Sequence, residues 1–596
     1  MATYPHDVEK SESLPNVPSS STSTVSSDAD SVSGLSVSRQ HTLSPQNYNA
    51  HDPTVLDRQR TAATVYEQTV GGKFHPRPRT PSVFSRITSR LTPEEWPEFG
   101  GGKAYPPPLP ERDIYVVDFA GPNDAMHGQN WPLRKKLITA AVLGYTTFVC
   151  AWGSSIYSSA TFAVSEHFGI PSEVALLGMS LFVLGFATGP LIWAPFSELK
   201  GRRIPLLIGI FGFSIFQIAV AVAKDVQTVL ICRFFGGVFA SCPIAVVGAV
   251  FADMFGVETR GTAVAVFSMM VFSGPLFGPI AGGFIVKSHL GWRWTEYITA
   301  IMGFFALGLN LLFLEETYPP VILIKKAEHL RRLTKNWGIH AKQEEIAIDL
   351  QTLLSKNFGR PIRLLFTEPI ILLISIYTAF VYAILYLFLV SYPIVFAEVR
   401  GWSPGVDALP YIGMITGEIL GGALVIAFQP WTNRRMMAAG HVRPEDRLVP
   451  CIIGSIFFPI GLFWFSWAGA DPSIHWIVPS LAGVPLGLGL ITIFLQSLNY
   501  LIDAYLDFAA SAIAANTVLR SAFAAGFPLF GAFLFEPKPH GKLGVGWAGS
   551  LLGFIAIAMV PIPLFFFLKG EAIRKRSKWA PDHKVAIRQG EIVEED

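Results

Sequence analysis

The sequence predicts an all-α membrane protein in which twelve transmembrane helices form two pseudo-symmetric six-helix bundles. Three observations predict this fold. Of the 596 residues, 51% are hydrophobic and only 15% are charged, whereas soluble globular chains carry about 25% charged residues. Apolar runs of the ~20 residues that a helix needs to cross a bilayer recur along the chain. A tetrapeptide, PLFG, occurs at Pro275–Gly278 and returns at Pro528–Gly531.

Polar segments divide the chain into five regions. Residues 1–130 are rich in Ser and Pro and cannot bury enough apolar surface to offset chain entropy, so we expect a disordered cytoplasmic tail. An N-terminal bundle follows at 131–315 and a C-terminal bundle at 369–570. The linker between them, 316–368, contains the basic run KKAEHLRRLTKNW, which is typical of an amphipathic surface helix. A cytoplasmic tail at 571–596 ends the chain.

Each bundle contains six apolar runs, which we predict to be its membrane spans. In chain order they lie at 137–160, 174–195, 204–223, 226–251, 261–286, 295–315, 370–397, 408–428, 448–469, 474–501, 510–535 and 546–569.

The distribution of Lys and Arg predicts the orientation, because basic loops stay on the cytoplasmic side. WPLRKK precedes the first span, KGRR follows the second, TNRRMM follows the eighth and RKRSK follows the twelfth. The opposite loops SEHFGIPSE and AGADPSIH contain neither residue, and Lys287, Arg293, Lys538 and Lys542 are outnumbered. We therefore expect both termini and the linker in the cytoplasm. The expected location is the cell membrane, with the vacuolar membrane as the alternative that the sequence leaves open.

The composition and the motifs exclude several function classes. A net charge of +2 does not suggest a nucleic-acid partner. The four cysteines lie in apolar runs without CxxC spacing, which predicts neither a metal site nor redox chemistry. No GxxxxGK[ST] loop is present for ATP, and no HExxH or GxSxG stands in a fitting context, so we expect no enzyme activity and no cofactor. The first residues show no apolar signal-peptide region.

The run SGPLFGPIAGG in span five combines helix breakers with an apolar setting. Its glycines at i, i+4 and i+8 form a line along which a second helix can approach closely, and its prolines favour a bend. Tight packing and a pliable gating helix are both consistent with this pattern. The residues concerned are Gly274, Pro275, Gly278, Pro279, Gly282 and Gly283.

The second PLFG lies in span eleven, at the matching place of the second bundle. Asp253 closes span four and Asp503 closes span ten, so two acids also correspond. Bundles related by an axis along the membrane normal are one known plan of transporters. The repeat therefore favours a transporter made of two related halves.

Charged residues inside the spans need an explanation, because a charge at the bilayer centre costs about 2.5–3.5 kcal/mol on insertion scales. Arg233 lies about 10 Å deep in span four and either faces a cavity or snorkels outward. Glu418 in span eight either carries a proton or pairs with a buried Arg. Arg520 and Asn516 share one face of span eleven, where they line the pathway or form a structural hydrogen bond.

Aromatic and amide side chains in the spans are candidates for a substrate cavity, since a wide aromatic pocket suits amphipathic compounds. Each of them is otherwise explained by packing or by contact with lipid. These candidates are Tyr145, Trp152, Gln217, Tyr382, Tyr386, Gln496, Asn499 and Tyr500.

Several phrases together resemble the major facilitator superfamily, in particular its fungal twelve-span drug:proton antiporters. GPLFGPIAGG is similar to the antiporter motif of span five, SELKGRR to the loop signature between spans two and three, and RFFGGVFAS to the motif of span four. YVVDFAGPNDAMHGQNWPLRKK, RLLFTEPI, PEDRL and DAYLDFAASAIAANTVLRS resemble phrases of the fungal subgroup. The resemblance covers about residues 112–570.

This resemblance implies roles for individual residues. Glu198, Gly201, Arg202 and Arg203 would belong to a charge cluster that latches the cytoplasmic gate, and Asp253 and Arg260 would join it. Arg233 would act in proton coupling, whereas the resemblance fixes no role for Glu418, which is a candidate proton carrier from its place in span eight alone. The second-half loop, FQPWTNRRMM, keeps the basic pair but has no neighbouring acid.

The expected function is proton-coupled export of small amphipathic or hydrophobic compounds by alternating access. The expected partners are the exported compound, protons and the bilayer, and the expected state is a monomer. A polyamine or other small-solute porter, an uptake porter and a non-transporting membrane sensor are the alternatives.

Overall fold

Long helices make up almost all of the structure, a computed structural model. It describes residues 113–121, 123–345, 359–439, 443–505, 508–535, 543–577, 579, 585–588 and 591–594. The tail predicted to be disordered lies outside this range up to residue 112, and so do Lys538 and Lys542.

The first half of the described chain contains eight helices. They are α1 Leu133–Ser155, α2 Thr161–Phe168, α3 Ser172–Thr188, α4 Pro190–Lys200, α5 Arg203–Ala221, α6 Val226–Met254, α7 Val257–Lys287 and α8 Arg293–Phe313. A 3-10 turn, Ile156–Ala160, joins α1 to α2.

Within the described residues, the linker and the second half contain eleven further helices. They are α9 Pro319–Thr334, α10 Arg360–Thr367, α11 Pro369–Pro393, α12 Tyr411–Ala439, α13 Leu448–Ala470, α14 Ile477–Leu481, α15 Gly483–Ala504, α16 Ala509–Gly526, α17 Gly531–Phe535, α18 Gly544–Met559 and α19 Pro561–Arg574. Single turns lie at Lys342–Glu345, Ile394–Val399, Pro444–Arg447 and Phe527–Phe530.

The number of membrane crossings agrees with the prediction. In the described ranges, 11 helices are long and apolar enough to span a bilayer, and the count is 12 when α3 and α4, which meet at a 40° bend, are one span. The break falls at Gly189 and Pro190, where the proline begins a new helix. The all-α membrane fold class is therefore confirmed.

Sequence features account for the ends of several helices. Asp225 precedes α6 and accepts the backbone N–H of Thr228 at 2.8 Å, which lowers the pKa of its carboxyl. Gly169 ends α2 in the left-handed conformation with φ 63°. Gly201 ends α4 with φ 86°, a backbone angle that side chains rarely adopt.

Each half packs its own helices together, and two helix pairs form the main contact between the halves. In the first half α7 packs on α1, while α6 packs on α3 and α5; in the second half α15 packs on α13 and α12, and α11 packs on α16. Between the halves, α3 contacts α16 and α7 contacts α12. These pairs are spans two and eleven and spans five and eight, as a two-fold arrangement requires.

The segment before the first span is ordered, although it was assigned to the disordered tail. From Asp113 to Asn130 it forms two 3-10 turns. The Val117 N–H donates to the His340 carbonyl at 2.9 Å, and Lys326 of α9 lies 3.6 Å from Asp124. This segment therefore lies against the linker, which supplies the backbone and charge partners that the composition of the tail did not reveal.

The polar regions otherwise follow the prediction in part. α9 covers the basic run up to Thr334, where Lys335 stops the helix in the left-handed conformation. Beyond α19, an antiparallel hairpin pairs β1 Val585–Arg588 with β2 Glu591–Glu594, which the sequence did not predict.

Candidate functional site

The predicted gate cluster of the first half is assembled at the end of α4. Arg202 Nε lies 3.1 Å from Asp253 Oδ2, and Arg202 donates to Ser197 Oγ at 2.9 Å. The guanidinium also lies 4.5 Å above the Tyr318 ring. Burial of that ring raises the pKa of the Tyr318 hydroxyl. Three segments of the chain thus meet on one arginine.

Sequence reasoning missed Glu316, which organises this turn. Its carboxylate accepts the backbone N–H groups of Arg202 and Arg203 at 2.8 and 3.2 Å. A Cβ on Gly201 would come within 2.3 Å of the same carboxylate, so only glycine fits there. The sequence signal for this residue was the second glutamate of LEET, which directly follows the predicted sixth span.

The other predicted gate residues have different partners. Arg203 donates its side chain to the Leu311 carbonyl at 3.3 Å rather than to an acid. The Glu198 carbonyl accepts from Gln343 of the linker at 3.2 Å. Arg260, at the start of α7, forms no ion pair within the described part of the chain, so the structure does not bring it into the cluster.

The second half contains a matching ion pair, although the sequence suggested that its copy had no acid. Arg447 Nε lies 3.0 Å from Asp503 Oδ2, the counterpart of Asp253. The two carboxylate oxygens of Glu445 accept hydrogen bonds from Arg574 Nε and NH2 at 3.0 and 3.1 Å. The arginine therefore comes from the PEDRL phrase, while the basic pair after span eight contributes Arg435, which binds Asp446 at 3.0 Å.

Arg233 lies fully buried in the first half, with 0% of its side chain exposed. Its Nε donates to the Gly178 carbonyl at 3.1 Å and its NH1 to the Gly153 carbonyl at 3.0 Å. The rings of Tyr157 and Phe182 each lie 4.5 Å from the guanidinium carbon. Snorkelling outward is excluded, since the charge is enclosed by protein on all sides.

Glu296 of α8 is the acid that sequence reasoning missed here. Its Oε1 lies 3.4 Å from Arg233 NH1, and its side chain is also 0% exposed. Four buried polar atoms around the pair have no protein partner: Arg233 NH2, Glu296 Oε2, Tyr157 Oη and Gln217 Nε2. The available signal was an acid only four residues into α8, at the same end of the bundle as Arg233.

Glu418 of α12 lies at the contact between α12 and α7, with 0% exposure. Ser273 of α7 donates to its Oε2 at 3.2 Å, and its Oε1 has no partner. Within the described residues no arginine pairs with this acid, which contradicts that alternative. The carboxyl thus bridges the two halves through a single hydroxyl.

An aromatic cluster holds Arg520 at the centre. The guanidinium carbon lies 4.8 Å from the Tyr382 ring and 4.7 Å from the Phe494 ring. Tyr382 and Tyr386 are neighbours on α11, and the Tyr386 hydroxyl lies 2.8 Å from Ser154 Oγ of α1. This hydroxyl pair joins the first half to the second, so the cluster lies between the two bundles.

The other cavity candidates lie elsewhere. Asn516 donates to Thr378 and Ser375 of α11 at 2.6 and 3.3 Å, so it forms the structural hydrogen bond, and its place along the pathway stays a prediction. Tyr145 packs edge-on against Phe305, whose side chain is exposed on the outer surface of α8.

Three of the remaining candidates also have partners within one half. Trp152 donates to Thr299 at 3.2 Å, Asn499 donates to Gln496 at 3.3 Å, and Tyr500 packs near Phe566. Of the ten predicted cavity residues, the structure therefore brings Tyr382, Tyr386 and Arg520 together between the halves, and it places Gln217 beside Gly153, whose carbonyl accepts from Arg233.

The glycine line of α7 packs against α1. A Cβ on Gly274 would come within 2.7 Å of Ala151, and one on Gly278 within 2.1 Å of Ser155 Oγ. Gly282 approaches the Ile156 carbonyl in the same way, at 2.9 Å. Close packing is therefore shown, and both prolines, Pro275 and Pro279, stand inside the continuous helix.

The two PLFG copies differ in structure. The first is α-helical within α7, whereas the second forms the 3-10 turn Phe527–Phe530 that separates α16 from α17. Near the first copy, Gly283 touches the backbone of Gly405 in the second half, where an added Cβ would come within 2.5 Å of the Gly405 nitrogen. The phrase therefore serves different contacts in each half.

Known proteins resemble this chain over most of its length. A sequence profile of the Major Facilitator Superfamily matches residues 143–528. The chain is 47% identical over 485 residues to "Multidrug transporter TPO1_2" of Candida glabrata, covering 81% of this chain and 83% of the relative. It is 42% identical over 536 residues to "Major facilitator superfamily multidrug transporter FLU1" of Candida albicans, covering 86% and 87%.

Solved structures share the fold at lower identity. The proton:xylose symporter XylE from E. coli gives a TM-score of 0.53 at 16% identity, over 73% of this chain and 97% of that one. A peptide transporter, POT, gives 0.52 at 15% identity, over 73% and 95%. These two likenesses concern the arrangement of the helices alone.

Proposed function

This chain belongs to the Major Facilitator Superfamily, and from that premise we propose that it is a proton-coupled exporter of small amphipathic or hydrophobic compounds. Similarity to multidrug transporters over four fifths of the chain supports drug efflux. The coupling to protons and the class of compound are the parts proposed here.

The observation that carries the proposal is a fully buried acid in each half, Glu296 and Glu418. Acids inside membrane spans are rare, and they mark proton relays when they face the bundle interior. Glu418 has only a hydroxyl for a partner, so a proton would remove the cost of burying its charge. Loss of that proton on the cytoplasmic side would then favour a different contact between α7 and α12.

Arg233 gives Glu296 a different role. The positive charge of Arg233 stabilises the carboxylate form of Glu296. Protonation of this acid would release the guanidinium from the pair. The unpaired atoms around the two groups supply hydrogen-bonding positions for a proton or a water molecule to pass. Together the two acids give the transporter one titratable group on either side of the centre.

The two cytoplasmic ion pairs support alternating access rather than a sensor that has lost transport. Arg202–Asp253 and Arg447–Asp503 lie at equivalent places and have nearly equal lengths, 3.1 and 3.0 Å. A non-transporting descendant would have no reason to keep both. In this proposal the pairs hold the cytoplasmic side closed and break when the halves move.

We also propose that the transporter works as a monomer in the cell membrane, with both termini in the cytoplasm. The contact between the segment before α1 and the linker supports the orientation alone, because two segments that touch are expected on the same side of a membrane.

Efflux of Nile red, an uncharged hydrophobic dye, from yeast that lacks its own drug exporters tests the proposal. Cells that express the full chain should retain several-fold less dye than cells with an empty vector. A protonophore should abolish the difference, because it collapses the proton gradient. Unchanged dye retention after addition of the protonophore would overturn the proton coupling, and equal retention in both strains with each dye of a wide panel would overturn export.

A further inference from the structure

Arg520 of α16 is a buried cation without a counter-charge. Its side chain is 6% exposed, and its Nε has no hydrogen-bond partner. The titratable groups that face it are the neutral hydroxyls of Tyr382 and Tyr386. In the part of the chain that the structure describes, no carboxylate forms an ion pair with it.

Arg233 in the first half is also a buried cation, but unlike Arg520 it has a counter-charge. There the guanidinium is placed between two rings as well, but it also has Glu296 and two backbone carbonyls. Buried charges in proteins are normally paired and hydrogen-bonded, because desolvation is otherwise uncompensated. Arg520 keeps only the two ring contacts, at 4.8 and 4.7 Å.

The surroundings of Arg520 are those of a ligand site rather than of a packed core. The cluster lies between the halves, where Tyr386 meets Ser154 of α1. Phe272 of α7 reaches it from the first half, with ring centroids 4.5 Å from Phe494 and 5.8 Å from Tyr382. Rings from both halves thus surround one cation and two hydroxyls.

We propose that Arg520 binds an anionic group, in particular the carboxylate of an amphipathic organic acid, while the flanking rings take its apolar body. This inference rests on the proposed function and names the substrate class of that transporter. A planar guanidinium suits a carboxylate, which accepts two parallel N–H donors, and its faces remain stacked on the rings. The tyrosine hydroxyls supply further donors to the same anion.

The same charge acts against the polyamine alternative. A polyamine would bring several positive charges beside a guanidinium that nothing in the described cluster neutralises. Like charges in a site of low dielectric repel strongly. Organic cations are therefore the compounds that this centre excludes.

Binding of three pyrene compounds tests the inference. 1-Pyrenebutyrate, 1-pyrenebutyramide and 1-pyrenebutylamine share one apolar body and differ in the charge of the head group. Their binding to the purified full-length protein in nanodiscs is measured at pH 7.5 by energy transfer from tryptophan, with empty nanodiscs as the blank. We expect the acid to bind at least tenfold more tightly than the amide, and the amine most weakly.

Variants assign the preference to Arg520. In Arg520→Gln the acid should lose about tenfold in affinity and match the amide, whose affinity should stay unchanged. Arg520→Lys should keep part of the preference, and Arg332→Gln, which removes an exposed linker charge, should have no effect.

Two results would overturn the inference: no preference for the acid in the unaltered protein, or a full preference in Arg520→Gln. If that variant does not fold, the comparison of the three compounds on the unaltered protein still decides. No proton gradient is present in this assay, so failure of proton coupling in cells would leave its outcome unaffected.

Discussion

Arg233 and Glu296 form a buried ion pair between residues that are distant in the sequence. The arginine was recognisable from its depth in an apolar run, because such a position requires a partner. Glu296 was not, since it lies near the start of a predicted span, where an acid is unremarkable. Sixty-three residues separate the two groups, and they meet because α6 and α8 both pack against α5 and α1.

Substitutions at Arg233 and Glu296 distinguish an effect on protein stability from an effect on proton coupling. Arg233→Gln should lower the melting temperature, since Glu296 is left buried and unpaired at a cost of about 3–5 kcal/mol. The double variant Arg233→Gln, Glu296→Gln should recover the melting temperature, because no charge remains, but it should not pump. Dye efflux and thermal unfolding of the purified protein measure the two effects. Normal efflux by the double variant would remove both residues from the coupling mechanism.

Replacement of the second buried acid should affect transport alone. Glu418→Gln should abolish efflux and leave the melting temperature equal or higher, because a neutral amide is cheaper to bury than a carboxylate. Ser273→Ala, which removes the hydroxyl that donates to Glu418, should retain most of the efflux. If Glu418→Gln pumps at the normal rate, Glu418 carries no proton.

At the scale of helices, periodicity and length predicted the spans well, because the bilayer fixes both. The exceptions have local causes. Span two breaks into α3 and α4 at a Gly-Pro step, and the second PLFG forms a 3-10 turn while the first continues a helix. Identical residues take different forms since the neighbouring helices, rather than the phrase itself, determine the backbone.

The glycine line of α7 can be tested by adding volume. Gly278→Val should destabilise the protein by about 1–3 kcal/mol, as overpacked cores do, because its Cβ would overlap Ser155 Oγ. Gly308→Val is the matched control, since nothing lies within 4 Å of a Cβ at that position of α8. Thermal unfolding in detergent measures both. Equal melting temperatures for the two variants would show that α7 and α1 do not pack this closely.

The ion pair between Arg447 and Asp503 should be needed for efflux, whichever of the two residues carries the positive charge. Arg447→Asp and Asp503→Arg should each reduce efflux at least tenfold, since each leaves two like charges facing one another where 12% and 14% of the side chains are exposed. The exchange of both should restore a large part of the activity. A double variant as inactive as the single ones would mean that each residue acts through other partners.

At the scale of the whole molecule, two related halves meet along α3 with α16 and α7 with α12. The repeat in the sequence indicated this symmetry, and the charges in the loops indicated the orientation. Neither could identify the residues that complete each latch, because Glu316 and Arg447 come from segments that show no repeat. The central cluster was likewise only partly predictable, since aromatic residues are common in every span.

The orientation leads to a labelling experiment. In a variant without native cysteines, a cysteine in place of Ser473, an exposed residue of a loop that we predict to lie outside, should react with an impermeant maleimide on intact cells. A cysteine in place of Lys335 in the linker should react only after the cells are permeabilised. The ratio of labelling before and after permeabilisation is the measurement. The reverse pattern would place the linker outside.

The meeting of Ser154 with Tyr386 has a consequence for an idle transporter. A neutral hydroxyl pair contributes only about 0.5–1.5 kcal/mol net, so an arriving compound with one acceptor can replace it at almost no energetic cost. In the proposed exporter the pair, 2.8 Å long, helps to close the empty centre until a compound arrives. Cargo and protein then compete for the same hydroxyl.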